Sequence, residues 1–123
     1  MTEEDFKNKL STEQYKVLRE KATEAPYSGQ YNLHFEAGNY SCGACDTLLF
    51  SSEGKYDAGC GWPSFHSPID NEVIATAKDL SYDRERTEIL CKNCGSHLGH
   101  VFNDGPTGSR YCVNSLSLNF RKK

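Results

Sequence analysis

The six cysteines of this 123-residue chain divide into two close pairs and two separate residues. The pairs are the C-x-x-C motifs Cys42-Gly-Ala-Cys45 and Cys91-Lys-Asn-Cys94, each followed closely by a residue suited to a tight turn. Two such motifs can supply the four thiolates of a tetrahedral Zn²⁺ site. Cys60 and Cys112 are then left to react. The pattern therefore indicates a small redox enzyme with a metal that stabilises its fold.

The metal predicted at the paired cysteines is structural rather than catalytic. Four cysteine ligands leave no open position for a substrate or water, which a catalytic zinc needs. Two alternatives stay open: three disulfides among the six cysteines, whose pairing the sequence does not give, or a histidine near Cys94 as a zinc ligand. The apolar fraction of 37% is somewhat low, and a structural metal would help such a chain to hold its core.

Cys112 lies in a segment that predicts a strand, Arg110-Tyr111-Cys112-Val113-Asn114-Ser115. Because side chains alternate along a strand, Arg110, Cys112 and Asn114 share one face. A guanidinium next to a thiol favours the reactive thiolate, and Asn114 could bind a substrate or orient a neighbour. The alternative is a buried cysteine that acts as a small hydrophobic residue. Burying Arg110 and Asn114 beside it would be costly, which favours the reactive interpretation.

Cys60 lies in the segment Gly59-Cys60-Gly61-Trp62-Pro63-Ser64-Phe65. Glycines on both sides leave the thiol accessible and the backbone mobile, which suits a cysteine that must move to meet a second sulfur. Pro63 limits the directions in which the indole of Trp62 can point. The structural alternative is a tight loop with a core tryptophan.

His97 and His100 would face opposite sides of a regular strand, but Gly99 could permit a bulge that brings them together. Histidine is the natural proton donor near neutral pH. One chemistry then unites these residues: a thiolate attacks an electrophile, a histidine protonates the leaving oxygen, and a second thiol resolves the oxidised cysteine as a disulfide. The attack would leave a sulfenic acid on Cys112. Phosphate-loop, flavin and haem motifs are missing from the sequence, so the electrons must pass through the thiols.

Charge and hydropathy exclude other classes of function. The net charge is −3 and the pI about 5.8, so the chain offers no basic stripe for nucleic acid. No apolar run approaches the roughly 20 residues that cross a bilayer. The acidic amino terminus has no apolar segment of a secretory signal, so we expect a reducing, cytoplasmic compartment.

The elements that must position these residues begin with a helical region. Ser11 and Gln14 form a capping box, which predicts a helix that ends before Pro26. Its predicted apolar stripe is Tyr15, Leu18 and Ala22. A shorter helix is predicted over residues 3–9.

From Tyr31 onward, short segments rich in β-branched residues predict a mainly antiparallel β domain, with turns such as Asn103-Asp104-Gly105-Pro106 between them. The predicted strands are residues 38–42, 47–50, 73–77, 86–91, 97–102 and 111–114. The two C-x-x-C motifs close two of the hairpins. A metal between the motifs would therefore clamp two distant hairpins together.

The chain resembles the B-type methionine-R-sulfoxide reductases in their zinc-containing form. Four segments carry the resemblance: Gly59-Cys60-Gly61-Trp62-Pro63-Ser64-Phe65, His97-Leu98-Gly99-His100-Val101-Phe102, Asp104-Gly105-Pro106 and Arg110-Tyr111-Cys112-Val113-Asn114-Ser115. Both C-x-x-C pairs fall where zinc-binding members carry theirs, and Thr23-Glu24-Ala25-Pro26-Tyr27-Ser28-Gly29 resembles the family's amino-terminal approach. The similarity extends from about Ser11 to Arg121 in the family's order.

The resemblance implies a mainly β fold of two antiparallel sheets, a zinc-stapled β-tent with short N-terminal helices, in one domain of residues 1–123. It implies reduction of the R epimer of methionine sulfoxide, in proteins and as the free amino acid, with thioredoxin as the usual reductant. One structural zinc per chain would be held by Cys42, Cys45, Cys91 and Cys94. The implied roles are Cys112 as nucleophile, Cys60 as resolving cysteine, Trp62 and Phe102 as lining of the substrate pocket, His97 and His100 at the sulfoxide oxygen, and Asn114 and Arg110 as residues that arrange the site.

One departure from the family and two rival functions stay open. The 105–110 loop is shorter than is usual in the family, which puts the placement of Arg110 in question. One rival is a zinc-stabilised binding module with Trp62 in a ligand cage, which would have no use for Cys60 and Cys112. The other is a zinc ribbon that contacts nucleic acid, which the acidic charge disfavours. A thioredoxin-like fold is set aside because neither C-x-x-C lies in a βαβ pattern, and we expect a monomer.

Overall fold

The computed structural model describes residues 2–80 and 85–122. The helices in these residues are α1 (Glu3–Lys9) and α2 (Thr12–Glu20). The strands are β1 (Gly38–Cys42), β2 (Leu48–Ser51), β3 (Lys55–Tyr56), β4 (Ser64–Phe65), β5 (Ile74–Asp79), β6 (Arg86–Cys91), β7 (His97–Gly105), β8 (Gly108–Val113) and β9 (Leu118–Lys122). Both predicted helices are present, and a strand lies at every predicted position.

Helix α2 begins at the predicted capping box and ends before Pro26, as predicted, but Ala22 of the predicted stripe lies beyond its last residue. The Gln14 amide donates to the Ser11 hydroxyl, and the Ser11 amide donates to the Gln14 side chain, both at 3.1 Å. The helix ends at Glu20 because Lys21 adopts a left-handed conformation with φ of 61°. Its buried residues are Val17 and Leu18, so the predicted stripe missed Val17.

Strand β7 is longer than the sequence predicted. The expected turn at residues 103–106 was placed too early, because β7 continues to Gly105 and pairs with β8 there. The chain reverses at Pro106 and Thr107, between the paired Gly105 and Gly108. Gly108 has φ of 114°, a conformation that glycine adopts without steric cost. The short loop is thus a tight hairpin turn.

The described strands form two antiparallel sheets, as predicted. One sheet has three strands in the order β2-β1-β9, and the other has six in the order β3-β4-β8-β7-β6-β5. The chain passes from the larger sheet to the smaller through a 3-10 turn at Ser115–Ser117, which connects β8 to β9. The strand with Cys112 therefore lies inside the larger sheet, between β4 and β7.

Aromatic side chains fill the space between the sheets. Phe50 of β2 stacks on Phe65 of β4 with ring centroids 4.3 Å apart, and Tyr40 of β1 meets Phe65 edge-on at 5.2 Å. All three rings are completely buried. This layer positions β4, which pairs directly with the segment that contains Cys112.

The helices of the described residues are short and polar. None of them has the length and apolar character needed to cross a membrane.

Arg19 of α2 anchors the helical region to the second C-x-x-C motif. Its guanidinium donates to the carbonyl of Cys94 at 2.9 Å and to the hydroxyl of Ser96 at 3.0 Å. The same group lies 4.1 Å from the ring centroid of Phe6 and pairs with Glu3 at 2.7 Å. One mostly buried cation therefore connects both helices to the larger sheet.

We expect Arg19→Met to lower the free energy of unfolding by about 1–3 kcal/mol, because it leaves the Cys94 carbonyl and Ser96 hydroxyl without this donor. Urea denaturation followed by circular dichroism measures the change. Lys16→Met, at an exposed position of the same helix, is the matched control and should change stability by less than about 0.5 kcal/mol. Equal effects of the two substitutions would contradict the anchoring role.

Candidate active site

A cavity of about 340 Å³ opens on the larger sheet beside β8. The sequence-predicted residues that line it are Cys60, Trp62, His100, Phe102, Arg110, Cys112 and Asn114. Thr23 and Arg86, to which the sequence assigned no role in the site, complete its polar wall. The two cysteines are thus brought together with the indole and one of the two histidines.

The two sulfurs of the candidate redox pair lie within hydrogen-bonding distance in this cavity. Cys60 Sγ is 3.8 Å from Cys112 Sγ, and both are free thiols. Cys112 is held by β8, whose neighbour β4 pairs Ser64 with it. Cys60 lies on a loop where Gly59 and Gly61 have φ of 70° and 94°, conformations that disfavour other residues. One sulfur is therefore fixed by the sheet, and the other is carried by a loop.

The two thiols share one proton unequally. The hydrogen bond from Cys112 lowers the pKa of Cys60 to about 5, and the Ser64 hydroxyl at 3.3 Å also favours the anion. The same contact with Cys60, together with burial, raises the pKa of Cys112. The contact between the two sulfurs therefore favours the negative charge on Cys60 in the resting pair, which the sequence did not indicate.

Arg110 has less influence on the thiols than the sequence suggested. Its Nε donates to Asp104 at 2.8 Å, and its guanidinium lies 4.4 Å from the ring centroid of Phe102. It lowers the pKa of both cysteines, but in each case by less than the contact between the two sulfurs changes it. Despite the short loop before it, Arg110 lines the cavity, where its guanidinium stacks on Phe102 and forms an ion pair with Asp104.

A bulge in β7 brings the two histidines to one side of the sheet. The β6–β7 register shifts between Ile89 and Leu90, so that Gly99 and His97 pair with consecutive residues of β6. The rings of His97 and His100 meet edge-on with centroids 5.6 Å apart. A Cβ on Gly99 would lie 1.9 Å from the Cys112 carbonyl oxygen, so the close approach of β7 and β8 requires glycine there. The proposed bulge is present.

His100 and His97 occupy different positions relative to the cavity. His100 pairs across strands with Cys112 and lines the cavity, while its Nε2 bonds Asp79 at 2.8 Å. His97 lies behind it, with Nδ1 2.7 Å from a carboxylate oxygen of Glu88. Burial lowers the pKa of His97, whereas Glu88 raises it in part. The structure thus places one histidine at the cavity and the other beyond it.

The segment after α2 holds Trp62 and Asn114 through the backbone of Glu24. The indole Nε1 donates to the Glu24 carbonyl at 3.0 Å, and the Glu24 amide donates to the Asn114 side chain at 3.2 Å. Asn114 also donates to the Leu98 carbonyl at 3.1 Å. Of the two roles considered for Asn114, these contacts support the orientation of its neighbours.

The four paired cysteines form a cluster between the two sheets. Their sulfurs all lie within 4.8 Å of one another, with Cys42 and Cys94 at 3.7 Å and Cys45 and Cys91 at 3.6 Å. A tetrahedral zinc with Zn–S bonds of about 2.3 Å needs sulfurs about 3.8 Å apart. The four thiols and their spacing therefore suit a tetrahedral metal. All six cysteines are described and free, so the disulfide alternative is not what the structure has.

The two C-x-x-C turns are built alike. In each, the first cysteine carbonyl accepts an amide four residues later, from Asp46 at 2.8 Å and from Gly95 at 2.7 Å. Both of these residues are left-handed, with φ of 68° and 76°. This confirms the prediction that a turn residue follows each motif closely.

Sequence reasoning missed the acidic residues behind the histidines, Asp79 and Glu88. A signal for Glu88 was available, because Arg86 and Glu88 alternate on one face of a strand that continues into Ile89 and Leu90. Charged residues beside a buried apolar run indicate a polar site under the sheet.

Comparisons with known proteins identify relatives over nearly the whole chain. The SelR domain model matches residues 10–122. Proteins named peptide methionine sulfoxide reductase MsrB are similar: that of Leptospira interrogans is 52% identical over 99% of this chain and 95% of its own length. That of Hahella chejuensis is 54% identical, over 97% of this chain and 87% of its own length, and that of Methanosarcina mazei is 52% identical, over 99% and 89%.

We expect Cys60 to react with iodoacetamide with a pH midpoint near 5, and Cys112→Ala to raise that midpoint by removing the hydrogen bond that stabilises the thiolate. Mass spectrometry after a short alkylation at each pH follows the labelling of Cys60. Lys122→Gln, on the opposite sheet, should leave the midpoint unchanged. A midpoint near 8.5 in the unsubstituted protein would show that the thiols do not share a proton in this way.

Proposed function

Because the chain belongs to the SelR family, whose relatives above are named peptide methionine sulfoxide reductase MsrB, we propose that Cys112 reduces the R epimer of methionine sulfoxide. The chain is an enzyme, an oxidoreductase that acts on methionine sulfoxide. The observation that carries the detailed proposal is the 3.8 Å separation of Cys60 and Cys112 sulfurs in a cavity next to Trp62. We treat residues 1–123 as one reductase domain.

Substrate binding is assigned to the indole of Trp62 and the ring of Phe102. Because the indole nitrogen is bonded to the Glu24 carbonyl, the ring is held in one orientation. As the sulfoxide oxygen gains a proton, the sulfur and its methyl group become electron-poor, and an aromatic face favours a partial cation. Exchanging methyl and oxygen would place a polar atom against the ring. A fixed indole therefore selects one epimer.

The first step needs the proton of Cys112 to leave. The Cys60 thiolate, whose sulfur is 3.8 Å away, accepts it. The resulting Cys112 thiolate attacks the sulfoxide sulfur, and the sulfoxide oxygen takes a proton. This oxygen is then transferred to Cys112, which becomes a sulfenic acid, and methionine leaves. Two electrons pass from the Cys112 sulfur to the substrate.

His100 is the histidine placed to protonate the oxygen in the cavity. Its Nε2 is committed to Asp79 at 2.8 Å, so its other nitrogen, Nδ1, is the one left for the substrate. The contact with Asp79 also holds the ring in one orientation at the cavity wall. Asn114 and Arg110 complete the site by orienting its backbone and Phe102.

The second step forms the disulfide. The Cys60 sulfur attacks the sulfenic sulfur of Cys112, the S–O bond breaks, and the hydroxide leaves with the Cys60 proton as water. The two thiols have then supplied both electrons and the sulfoxide oxygen has become water. The loop that carries Cys60 provides the small approach that an S–S bond requires, from 3.8 Å to about 2.05 Å.

The disulfide must be reduced before another turnover. We propose thioredoxin as the reductant, in a cytoplasmic and monomeric enzyme that accepts protein-bound and free substrate. The net charge of −3 supports a protein without nucleic-acid partners.

The cysteine cluster is assigned to one structural zinc per chain. Cys42, Cys45, Cys91 and Cys94 would hold it, and it would supply a tie between the sheets rather than a step of the reaction.

We expect Cys112→Ser to lower methionine-R-sulfoxide reduction by at least about a thousandfold, because the nucleophile is lost. Cys60→Ser should still release about one methionine per enzyme but lose thioredoxin-driven turnover, because no disulfide forms. Chromatography of released methionine, with and without thioredoxin, separates the two results. In the unsubstituted enzyme, one equivalent of substrate should give a Cys60–Cys112 disulfide that mass spectrometry detects.

Substantial activity in Cys112→Ser would overturn the nucleophile assignment. Sustained thioredoxin-dependent cycling in Cys60→Ser would assign the resolving role to another residue.

Purified protein should contain about one zinc per chain, and its removal should lower the free energy of unfolding by several kcal/mol. Cys42→Ser should lose the metal, whereas Cys60→Ser should retain it, since Cys60 is outside the cluster. Elemental analysis and urea denaturation measure the two quantities. A metal-free protein of undiminished stability would refute the tie between the sheets.

A further inference from the structure

A buried acid–base pair lies behind the catalytic cavity. Glu88 and His97 are 2% and 3% exposed, and a Glu88 oxygen is 2.7 Å from His97 Nδ1. The other Glu88 oxygen pairs with Lys21 at 3.3 Å, and the Lys21 side chain is 65% exposed. A carboxylate thus connects a buried imidazole to a cation at the surface. Such burial is costly unless the pair is hydrogen-bonded, as it is here.

The second nitrogen of His97 is available for a proton. His97 Nε2 is buried and has no hydrogen-bond partner among the described residues. A buried nitrogen without a hydrogen-bond partner destabilises a fold, so its presence here calls for an explanation. A water molecule bound at Nε2, or a proton transferred through it, would explain why this nitrogen has no partner among the described residues.

A second cavity of about 260 Å³ lies beside these groups and adjoins the catalytic one. It is lined by His97, Glu88 and Lys21, and it shares the walls His100, Thr23 and Arg86 with the cavity that contains Cys112. The rings of His97 and His100, which both line it, lie edge to face. The reaction proposed above takes up a proton at the sulfoxide oxygen, and Lys21 on the wall of this cavity has a side chain that is 65% exposed to solvent.

We propose that Glu88 is a positioning residue of the reductase. It acts through His97, which it holds as a protonated imidazole, and His97 supplies protons to the catalytic cavity by way of the second cavity. The inference rests on the proposed function. Glu88 accepts from Nδ1 and so leaves Nε2 as the nitrogen that gives up the proton. The proton moves from Nε2, by way of the shared wall at His100, to the sulfoxide oxygen, and solvent returns it to His97.

The charges around His97 determine in which direction each substitution should shift the pH dependence of activity. The titratable groups that face it are Glu88, His100, Lys21, Lys78, Asp79 and Arg86. Glu88 raises its pKa, whereas His100 and Lys21 lower it, and burial lowers it most. A group that must be protonated supports activity below its pKa, and activity is lost as the pH rises through that value. In a plot of rate against pH, the alkaline limb is the high-pH side on which activity is lost. Removing the charge of Glu88 should therefore shift this limb to lower pH, and removing the charge of Lys21 should shift it to higher pH.

The experiment is single-turnover methionine release from the zinc-loaded enzyme, without recycling reductant, between pH 5.5 and 9. Glu88→Gln keeps a hydrogen-bond acceptor for Nδ1 but removes the charge. We expect its alkaline limb to move down by about one pH unit, which is about a tenfold lower rate on that limb. Lys21→Gln should move the limb upward by a few tenths of a unit. Lys122→Gln, which removes a cation of an exposed ion pair on the other sheet, is the matched control.

The outcomes separate the two proposals. An unsubstituted enzyme that releases no methionine would overturn the proposed function itself. An active enzyme whose Glu88→Gln variant is slower by the same factor at every pH, or unchanged, would overturn the inference alone, because a structural role does not move the limb. If Glu88→Gln does not fold, Lys21→Gln still decides: a limb that does not rise overturns the proposal. Nitrogen NMR of the unsubstituted protein should also show His97 protonated at Nδ1.

Discussion

The meeting of four cysteine sulfurs between the two sheets is the constraint on which the other contacts depend. Cys42 ends β1 of the smaller sheet and Cys91 ends β6 of the larger one, and the partner sulfurs lie within 3.7 Å of them. In the larger sheet, β6 is hydrogen-bonded to β7, and β7 to β8. A displacement at the cluster would therefore pass through β6 to the strand with Cys112. The cluster positions the chemistry without taking part in it.

Within that frame, the chemistry depends on a proton shared by two sulfurs. Either sulfur can be the anion, but a second negative charge at 3.8 Å would be strongly opposed. This contact favours the proton on the sheet-held Cys112 and the charge on the loop-held Cys60, whose pKa it lowers to about 5. In the proposed reaction, Cys60 would then be a base at contact distance from the nucleophile. The thiolate present before substrate binds would also be on the residue proposed to close the disulfide.

The sequence predicted the local elements and the cysteine cluster because these depend on short-range patterns. The capping box at Ser11, the β-branched runs and the two C-x-x-C turns each specify their own geometry over a few residues. The sequence placed the end of α2 before Pro26, but it did not show the early end at Glu20, because the left-handed Lys21 carries no glycine signal. The proton shared by the two thiols was not predicted, because it depends on the contact of Cys112 with Cys60, which is 52 residues away in the chain. Strand alternation shows which side chains share a face, but not that Arg110 would be engaged by Asp104.

The carboxylates of the site lie on the far side of the histidines from the sulfurs, and this has an electrostatic reason. A carboxylate next to a thiol opposes its ionisation, as Glu24 does for Cys112. Glu88 and Asp79 instead contact His97 and His100 at 2.7 and 2.8 Å. For His97, the Glu88 carboxylate offsets part of the lowering of the pKa that burial causes. Lys21 pairs with Glu88 at 3.3 Å and Arg86 pairs with Asp79 at 3.4 Å, so each carboxylate's negative charge is partly balanced by a cation. The negative side chains of Glu88 and Asp79 thus pair with the histidines and the two cations, and neither of them contacts the thiols.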